Sequence, residues 1–303
     1  MSHFDEDLAS LVTESDDPEY ALLDSKSVGE IAETMNDADA RVPGAVRQAL
    51  PSIVAAIEAA SARMEQGGRL IYAGAGTAGR MGVIDAAECR PTFNIWPGQV
   101  EAVIAGGPTA VISSVEGAED DATAGAAAMD QLEVGALDTV VGIASSGRTP
   151  FVLGAVTRAR ELGALVIGLS CNTGTKLSGM VDHAIEIELG PEVVAGSTRL
   201  KAGTAQKLVL NMFSTITMIR LGKTYGSLMV DLRATNHKLH ERAIRIVMSI
   251  AKVPREQAVK VLESVDMDVK LASLMLARGE DAATAQARLD RFGGRLRLAL
   301  EEA

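Results

Sequence analysis

The sequence predicts an α/β protein: a doubly wound, three-layer sandwich around a five-stranded parallel sheet, followed by a small helical domain. Three observations predict it. Five short apolar runs, at 70–73, 100–105, 139–144, 165–170 and 184–189, lack the alternation of half-exposed strands and fit strands buried on both faces. Helical patterns lie between them, notably at 109–131 and 150–162. Gly, Ser and Thr gather just after the runs, at the carboxyl ends of the strands, where ligands of such sheets bind.

The 303 residues are 47% apolar, enough to bury a sizeable core in one large domain and a smaller one. Aromatics make up only 3%, so this core relies on close backbone packing. Residues 1–45 are polar, with acidic clusters around Asp16, Asp17 and Asp37, and read as a helical arm. The main domain spans 46–248. Pro43 opens a helical pattern that places Val46, Leu50, Ile53, Val54 and Ile57 on one face, and Gly67 and Gly68 stop it. Long helical patterns return at 200–221 and 234–247. Residues 249–303 form the small helical domain, with three helices punctuated by Pro254, Gly279 and the pair Gly293–Gly294.

Charge and cysteine use exclude several classes. The formal charge is −11 with no Lys/Arg-rich run, which argues against a nucleic-acid surface. The most apolar helical stretch, 208–221, is interrupted by Asn211 and Arg220 and is too short to span a membrane. Cys89 and Cys171 stand far apart and read as reduced thiols, and the start of the chain lacks a signal pattern; the expected location is cytoplasmic. His3, His183, His237 and His240 include only a weak pair at metal-ligand spacing, so no metal site is expected.

Three loops carry ligand-binding chemistry. Gly74-Ala75-Gly76-Thr77-Ala78-Gly79 matches the G-x-G-x-x-G pattern, but the second strand ends Ile104-Ala105-Gly106-Gly107, without the acid a dinucleotide ribose requires. Ala144-Ser145-Ser146-Gly147-Arg148-Thr149-Pro150 leads from a strand into a helix. Its hydroxyls and free N–H groups form a neutral phosphate cradle without the lysine of a nucleotide P-loop. The stretch 196–207, with Ser197, Arg199 and Lys201, reads as another anion-facing helix start. Glu88 and Glu119 are candidate acid–base groups, though most such carboxylates are solvated surface charges and spacing alone does not choose between the readings.

Longer stretches decide further. The runs 70–77, 115–120, 146–150, 201–212, 228–231 and 234–236 make the sequence resemble the N-acetylmuramic acid 6-phosphate etherases, a family of the sugar isomerase (SIS) domain superfamily. The likeness covers nearly the whole chain; the glucokinase regulatory protein, which binds phosphosugars without turning them over, is a more distant relative of the same architecture. The resemblance implies a SIS fold and a phosphosugar substrate, N-acetylmuramic acid 6-phosphate, cleaved to N-acetylglucosamine 6-phosphate and D-lactate. It implies neither cofactor nor metal. Glu88 matches the family's acid–base glutamate and Glu119 its second active-site glutamate. Ser146 and Thr149 are the foremost phosphate contacts, with Thr77, Ser145, Gly147 and Ser197 beside them; by charge alone, Lys201 or Arg199 is expected to meet the lactyl carboxylate. Pairing into a homodimer follows by the same analogy, with the helix at 208–221 as its element and His240 reaching a neighbouring subunit's site. A sugar-phosphate sensor and an aldose–ketose isomerase are the rival readings; a sensor needs neither glutamate, and an isomerase releases no lactate. Ala78 departs from the family, which usually has Ser there. The lost donor is expected to weaken binding by no more than one neutral hydrogen bond, roughly 0.5–1.5 kcal/mol, and Ser145, where Ala is common, compensates.

Overall fold

The computed structural model describes residues 11–232, 234 and 236–302. The first ten residues of the expected arm, His3 among them, and Thr235 lie outside the described residues. The chain divides into two compact units, one running up to Ala86 and over Gly98–Ser214, the other comprising Ala87–Pro97 and Thr215–Ala303. The bounds differ from those read off the sequence, because two long helices each contribute residues to both units.

The first unit opens with three short 3-10 turns, Val12–Glu14, Pro18–Tyr20 and Leu23–Ser25. Helices α1 (Val28–Ala40), α2 (Val42–Gln48) and α3 (Leu50–Met64) follow. Ser27 caps α1 in a reciprocal capping box with Glu30. The single helix expected after Pro43 is broken at Ala49. Pro51 lacks an N–H and suits only a first turn, so a new helix starts at Leu50. The break shifts the helical phase: Ile53 and Ile57 are buried, whereas Val54, expected on the same face, is exposed.

The sheet matches the expectation. Strands β1 (Leu70–Gly74), β2 (Val100–Ile104), β3 (Thr139–Ile143), β4 (Leu165–Ser170) and β5 (His183–Glu186) are all parallel, in the order β2-β1-β3-β4-β5. The order reverses between β1 and β3, which makes the carboxyl ends of these two strands the topological switch point. At the opposite end, Arg69 and the buried Asp138 form an ion pair of 2.6 Å that fixes β1 against β3.

Helices cover both faces. Ile71, Ala73, Val140 and Val166 form one face and join a cluster with Phe151, Val152, Ala155 and Ala159 of α7 (Pro150–Glu161) and Met129 of α6 (Ala122–Gln131). Tyr72 and Ile143 point the other way, toward Gly82 of α4 (Gly76–Phe93). The helix expected over 109–131 is not continuous: α5 (Thr109–Ile112) stops at Ser113, and a 3-10 turn, Ala118–Asp120, precedes α6. Gly117, at φ 72°, takes the left-handed conformation that ends any helical run.

The long helix α8 (Lys201–Arg220) closes the first unit through one buried carboxylate. Asp85 of α4 accepts hydrogen bonds from Tyr72 Oη on β1 at 2.8 Å and from two α8 side chains, Asn211 Nδ2 at 2.8 Å and Ser214 Oγ at 3.0 Å.

The second unit holds an antiparallel hairpin, β6 (Thr224–Tyr225) and β7 (Leu228–Met229), and helices α9 (His237–Ala251), α10 (Arg255–Ser264), α11 (Val269–Arg278) and α12 (Ala282–Arg291). Asn236 caps α9 and Gly279 ends α11 in the left-handed conformation. A fourth tail helix, α13 (Leu296–Glu301), was not expected. Gly293 and Gly294 do end α12, and Arg295 restarts the helix at once. Val247, Leu262, Leu274 and Leu296 form the core of this unit.

Burial pushes the Asp85 carboxyl up from its ordinary value, against the hydrogen bonds that favour its charged form. A carboxyl raised on folding binds its proton more tightly in the native state, so its contribution to stability is fullest below about pH 3.9, the ordinary aspartate value, and declines as pH rises through the native pKa. Asp85→Asn is expected to cost about 1–3 kcal/mol by setting an amide against the donors of Tyr72, Asn211 and Ser214. The wild-type advantage should grow as pH falls. Urea unfolding of both proteins at several pH values checks this, and parallel pH profiles would count against it.

Candidate active site

The site is built at the switch point. The first loop leaves β1 at Gly74 and enters α4 at once. A Cβ on Gly79 would lie 2.6 Å from Ile104 Cγ1 and 2.9 Å from the Gly74 carbonyl oxygen, so this glycine lets the helix start press on β1 and β2. The G-x-G-x-x-G pattern thus owes one of its glycines to packing. Thr77 is partly buried, and a Cβ on Gly203 would come within 3.3 Å of its methyl group, which places the first turn of α8 directly beside it. Ala78 is buried.

The second loop leaves β3 at Ala144 and ends at Pro150, the first residue of α7. Gly147 has φ 66°, and a Cβ there would collide with Thr175. Ser146 Oγ accepts a 3.3 Å hydrogen bond from the N–H of Arg148, which leaves its own proton available. Thr149 is the N-cap residue of α7, yet its hydroxyl caps no backbone N–H of the helix. The backbone is held from behind: the Ser145 carbonyl accepts from Cys171 N at 2.9 Å and from Asn172 Nδ2 at 2.9 Å, and the Gly147 carbonyl accepts from Leu177 N at 2.9 Å. Asn172 Nδ2 also donates to Thr13 Oγ1 at 3.0 Å, so the N-terminal arm braces the same loop.

The third motif is arranged otherwise than expected. The start of α8 does face an anion, but the anion is the chain's own Glu192. Its buried carboxylate accepts from Lys201 N at 3.0 Å and Ala202 N at 2.9 Å. Lys201 is not a free cation facing a ligand: it is 3% exposed and its ammonium donates to the Leu189 carbonyl at 2.8 Å. Burial lowers its pKa, opposed by the neighbouring Glu192. Arg199, by contrast, is exposed, and Ser197 is partly exposed.

Glu119 sits on the 3-10 turn after Gly117 and is exposed. It lines a cavity of about 170 Å³ with Ala75, Gly76, Arg80, Ser114 and Glu116. The structure therefore brings Glu119 to the first loop. Arg80 donates to the Val111 carbonyl at 3.1 Å and ties α4 to the segment that carries the carboxylate. Glu88 is an exposed residue of α4 and belongs to the second unit. Cys89 and Cys171 are both buried and neither is in a disulfide; burial pushes Cys171 up to about 12, helped by Glu192, so it is unreactive at neutral pH. Among the described residues no group of three or more His, Cys, Asp and Glu is arranged to hold a metal, and no helix is long and apolar enough to cross a membrane.

Comparison with known proteins fits this architecture. Residues 121–216 match the SIS domain, and residues 52–160 match the N-terminal SIS domain of glucokinase regulatory protein. N-acetylmuramic acid 6-phosphate etherase of Streptomyces coelicolor is 54% identical over 296 residues, covering 98% of this chain and 95% of the relative. The protein of that name in Rubrobacter xylanophilus is 55% identical over 298 residues, 98% of each chain, and that in Serratia proteamaculans is 50% identical, covering 97% of this chain and 99% of the relative. The chain belongs to the N-acetylmuramic acid 6-phosphate etherase family. It is accordingly an enzyme, and its sheet is a SIS sheet.

Sequence reasoning missed the residues behind this etherase-family site. Asp85, Asn172 and Gln206 are buried polar groups with partners far along the chain, and the buried Glu192 bonds the helix start nine and ten residues on; no local pattern announces them.

Gly147→Ala is expected to disable the second loop. A side chain in the left-handed region costs about 1–2 kcal/mol, and displacement of Thr175 adds an overpacking cost of about 1–3 kcal/mol. Calorimetric titration with inorganic phosphate should show binding lost in a protein that melts several degrees lower. Undiminished affinity would mean that this loop does not hold the anion.

Proposed function

We propose that the chain cleaves the D-lactyl ether of N-acetylmuramic acid 6-phosphate by elimination followed by hydration, giving N-acetylglucosamine 6-phosphate and D-lactate. The observation that carries the reading is the position of Glu119 across a cavity from the first Gly-rich loop, in a chain that matches etherases over nearly all its length.

The ether oxygen on C3 is a poor leaving group. Opening of the sugar ring exposes an aldehyde at C1 and acidifies the hydrogen on C2. A carboxylate removes that proton, the C2–H electron pair becomes the C2–C3 double bond, and the C3–O bond breaks as an acid protonates the departing lactyl oxygen. Water then adds at C3 and a proton returns to C2. Glu88 is the acid–base group of this sequence and Glu119 the second active-site carboxylate. The departing lactyl oxygen requires a protonated acid at the moment the C3–O bond breaks.

The phosphate anchors C6 and sets C2 and C3 before the carboxylates, using binding energy remote from the reacting bonds. Ser146 and Thr149 are its principal contacts, with Thr77, Ser145, Ser197 and the Gly147 backbone completing the cradle. Lys201 acts from behind, since its ammonium is engaged by Leu189, and the exposed Arg199 is the cation of that motif that meets the lactyl carboxylate. The enzyme works in the cytoplasm as a homodimer in the recycling or catabolism of cell-wall amino sugar; exposed Ile216 and Ile219 on α8 support pairing along that helix.

Purified protein should release D-lactate from N-acetylmuramic acid 6-phosphate without added metal or nucleotide. In ¹⁸O-water the label should enter at C3 of the sugar; label in lactate would exclude elimination, and a ketose phosphate without lactate would indicate an isomerase. Glu88→Ala should lower turnover by at least the ~10²–10⁴-fold typical of lost acid–base catalysis, with phosphosugar affinity kept. Full activity in that variant would remove Glu88 from the mechanism.

A further inference from the structure

A serine hydroxyl can give or take a hydrogen bond, and its neighbours decide which. Ser145, at the start of the second loop, has its hydroxyl oxygen 2.8 Å from Nε2 of Gln206 on α8. Gln206 is wholly buried, and its Oε1 has no hydrogen-bond partner. The opposite amide orientation would place Nε2, with two hydrogens, in that unpartnered position. An orphaned buried donor is rarer and costlier than an under-used carbonyl oxygen, so the observed orientation is the favoured one.

The consequence is directional. Nε2–H fills one lone pair of the Ser145 oxygen from below, and Ser145 is only partly buried on the loop side. Its proton is left to point outward, to an acceptor in the loop. We propose that Gln206 is a positioning residue that makes Ser145 an obligatory hydrogen-bond donor to the substrate's phosphate. The inference rests on the phosphate-binding reading of the second loop. The glutamine is suited to the task because it is neutral: a carboxylate in its place would draw the Ser145 proton inward and set a negative charge beneath the anion.

Four variants test this: Ser145→Ala, Gln206→Met, the two combined, and Gln206→Glu. Binding of inorganic phosphate is followed by calorimetry, and lactate release by steady-state kinetics. Ser145→Ala should weaken phosphate binding about tenfold or more, the range of a hydrogen bond to a charged group. Gln206→Met should weaken it several-fold alone but by less than about twofold once Ser145 is Ala, the non-additivity expected of residues acting as one unit. Gln206→Glu, which keeps the shape of the side chain and serves if Gln206→Met melts early, should weaken binding further as pH rises and its carboxyl ionises. KM should follow the phosphate affinity while kcat stays within about twofold; a purely structural role would lower kcat and melting temperature instead. Multiplicative effects of the two single changes, or phosphate affinity in Gln206→Glu equal to wild type at all pH values, would overturn the inference. Wild-type protein that binds phosphate but releases no lactate would overturn the etherase reading and leave this one standing.

Discussion

A loop that holds an anion with neutral groups must be rigid before the anion arrives, and most of the first unit serves that constraint. Hydroxyl and amide donors have no long-range pull to draw a misplaced loop into shape. The second loop meets the demand with buried hydrogen bonds rather than charge. The Ser145 carbonyl is held by Cys171 N and Asn172 Nδ2, its hydroxyl by Gln206, and the Gly147 carbonyl by Leu177 N. These partners come from the loop that follows β4 and from α8, and Thr13 of the N-terminal arm braces Asn172 in turn. Hydrogen bonds that span up to 159 residues of sequence converge on one turn. The parallel sheet makes this possible, because it delivers the ends of β1, β3 and β4 side by side at the switch point.

Electrostatics imposes a second condition on a chain of formal charge −11. A helix start is a ready anion site, and leaving several of them open in an acidic protein would invite its own carboxylates. The chain resolves this at α8 by burying Glu192 against the first N–H groups and setting the Lys201 ammonium against the Leu189 carbonyl. The helix start itself is therefore sealed, and Glu192 and Lys201 serve the site by fixing α8, the helix that carries Gln206, Asn211 and Ser214 to their partners. At 144–150, by contrast, the Ser145 hydroxyl meets the Gln206 amide and the Ser146 hydroxyl the N–H of Arg148, both neutral donors. Residue type alone could not tell these two loops apart.

This is where the sequence was legible and where it was not. The three central strands, β1, β3 and β4, could be read because burial on both faces leaves an unbroken apolar run, a signal confined to a few consecutive residues. The first and second loops could be read for the same reason, since strand, glycine, hydroxyl and helix start are adjacent. Breaks inside helical patterns were harder. Pro51 and Gly117 each interrupt a stretch whose composition favours helix throughout, and one residue outweighs the propensity of its neighbours. The buried polar network was invisible in principle. Asp85 looks like any helical aspartate until Asn211 and Ser214, more than a hundred positions away, are folded onto it.

The choice of neutral groups also has a chemical logic. A lysine in the cradle would bind phosphate strongly from many directions, because a point charge has little angular preference. A hydroxyl donor gives less attraction but specifies where its acceptor must lie. An elimination across C2 and C3 needs the sugar held at a fixed height and rotation, since a proton must leave one carbon while an oxygen leaves the next, and small misplacement is costly. Directional donors on a braced loop supply that better than a cation on a flexible stem. Each hydroxyl must then be committed to donating, because one free to rotate would specify nothing. If the second loop holds the phosphate as proposed, the amide beneath Ser145 is as much a part of that site as the hydroxyl above it.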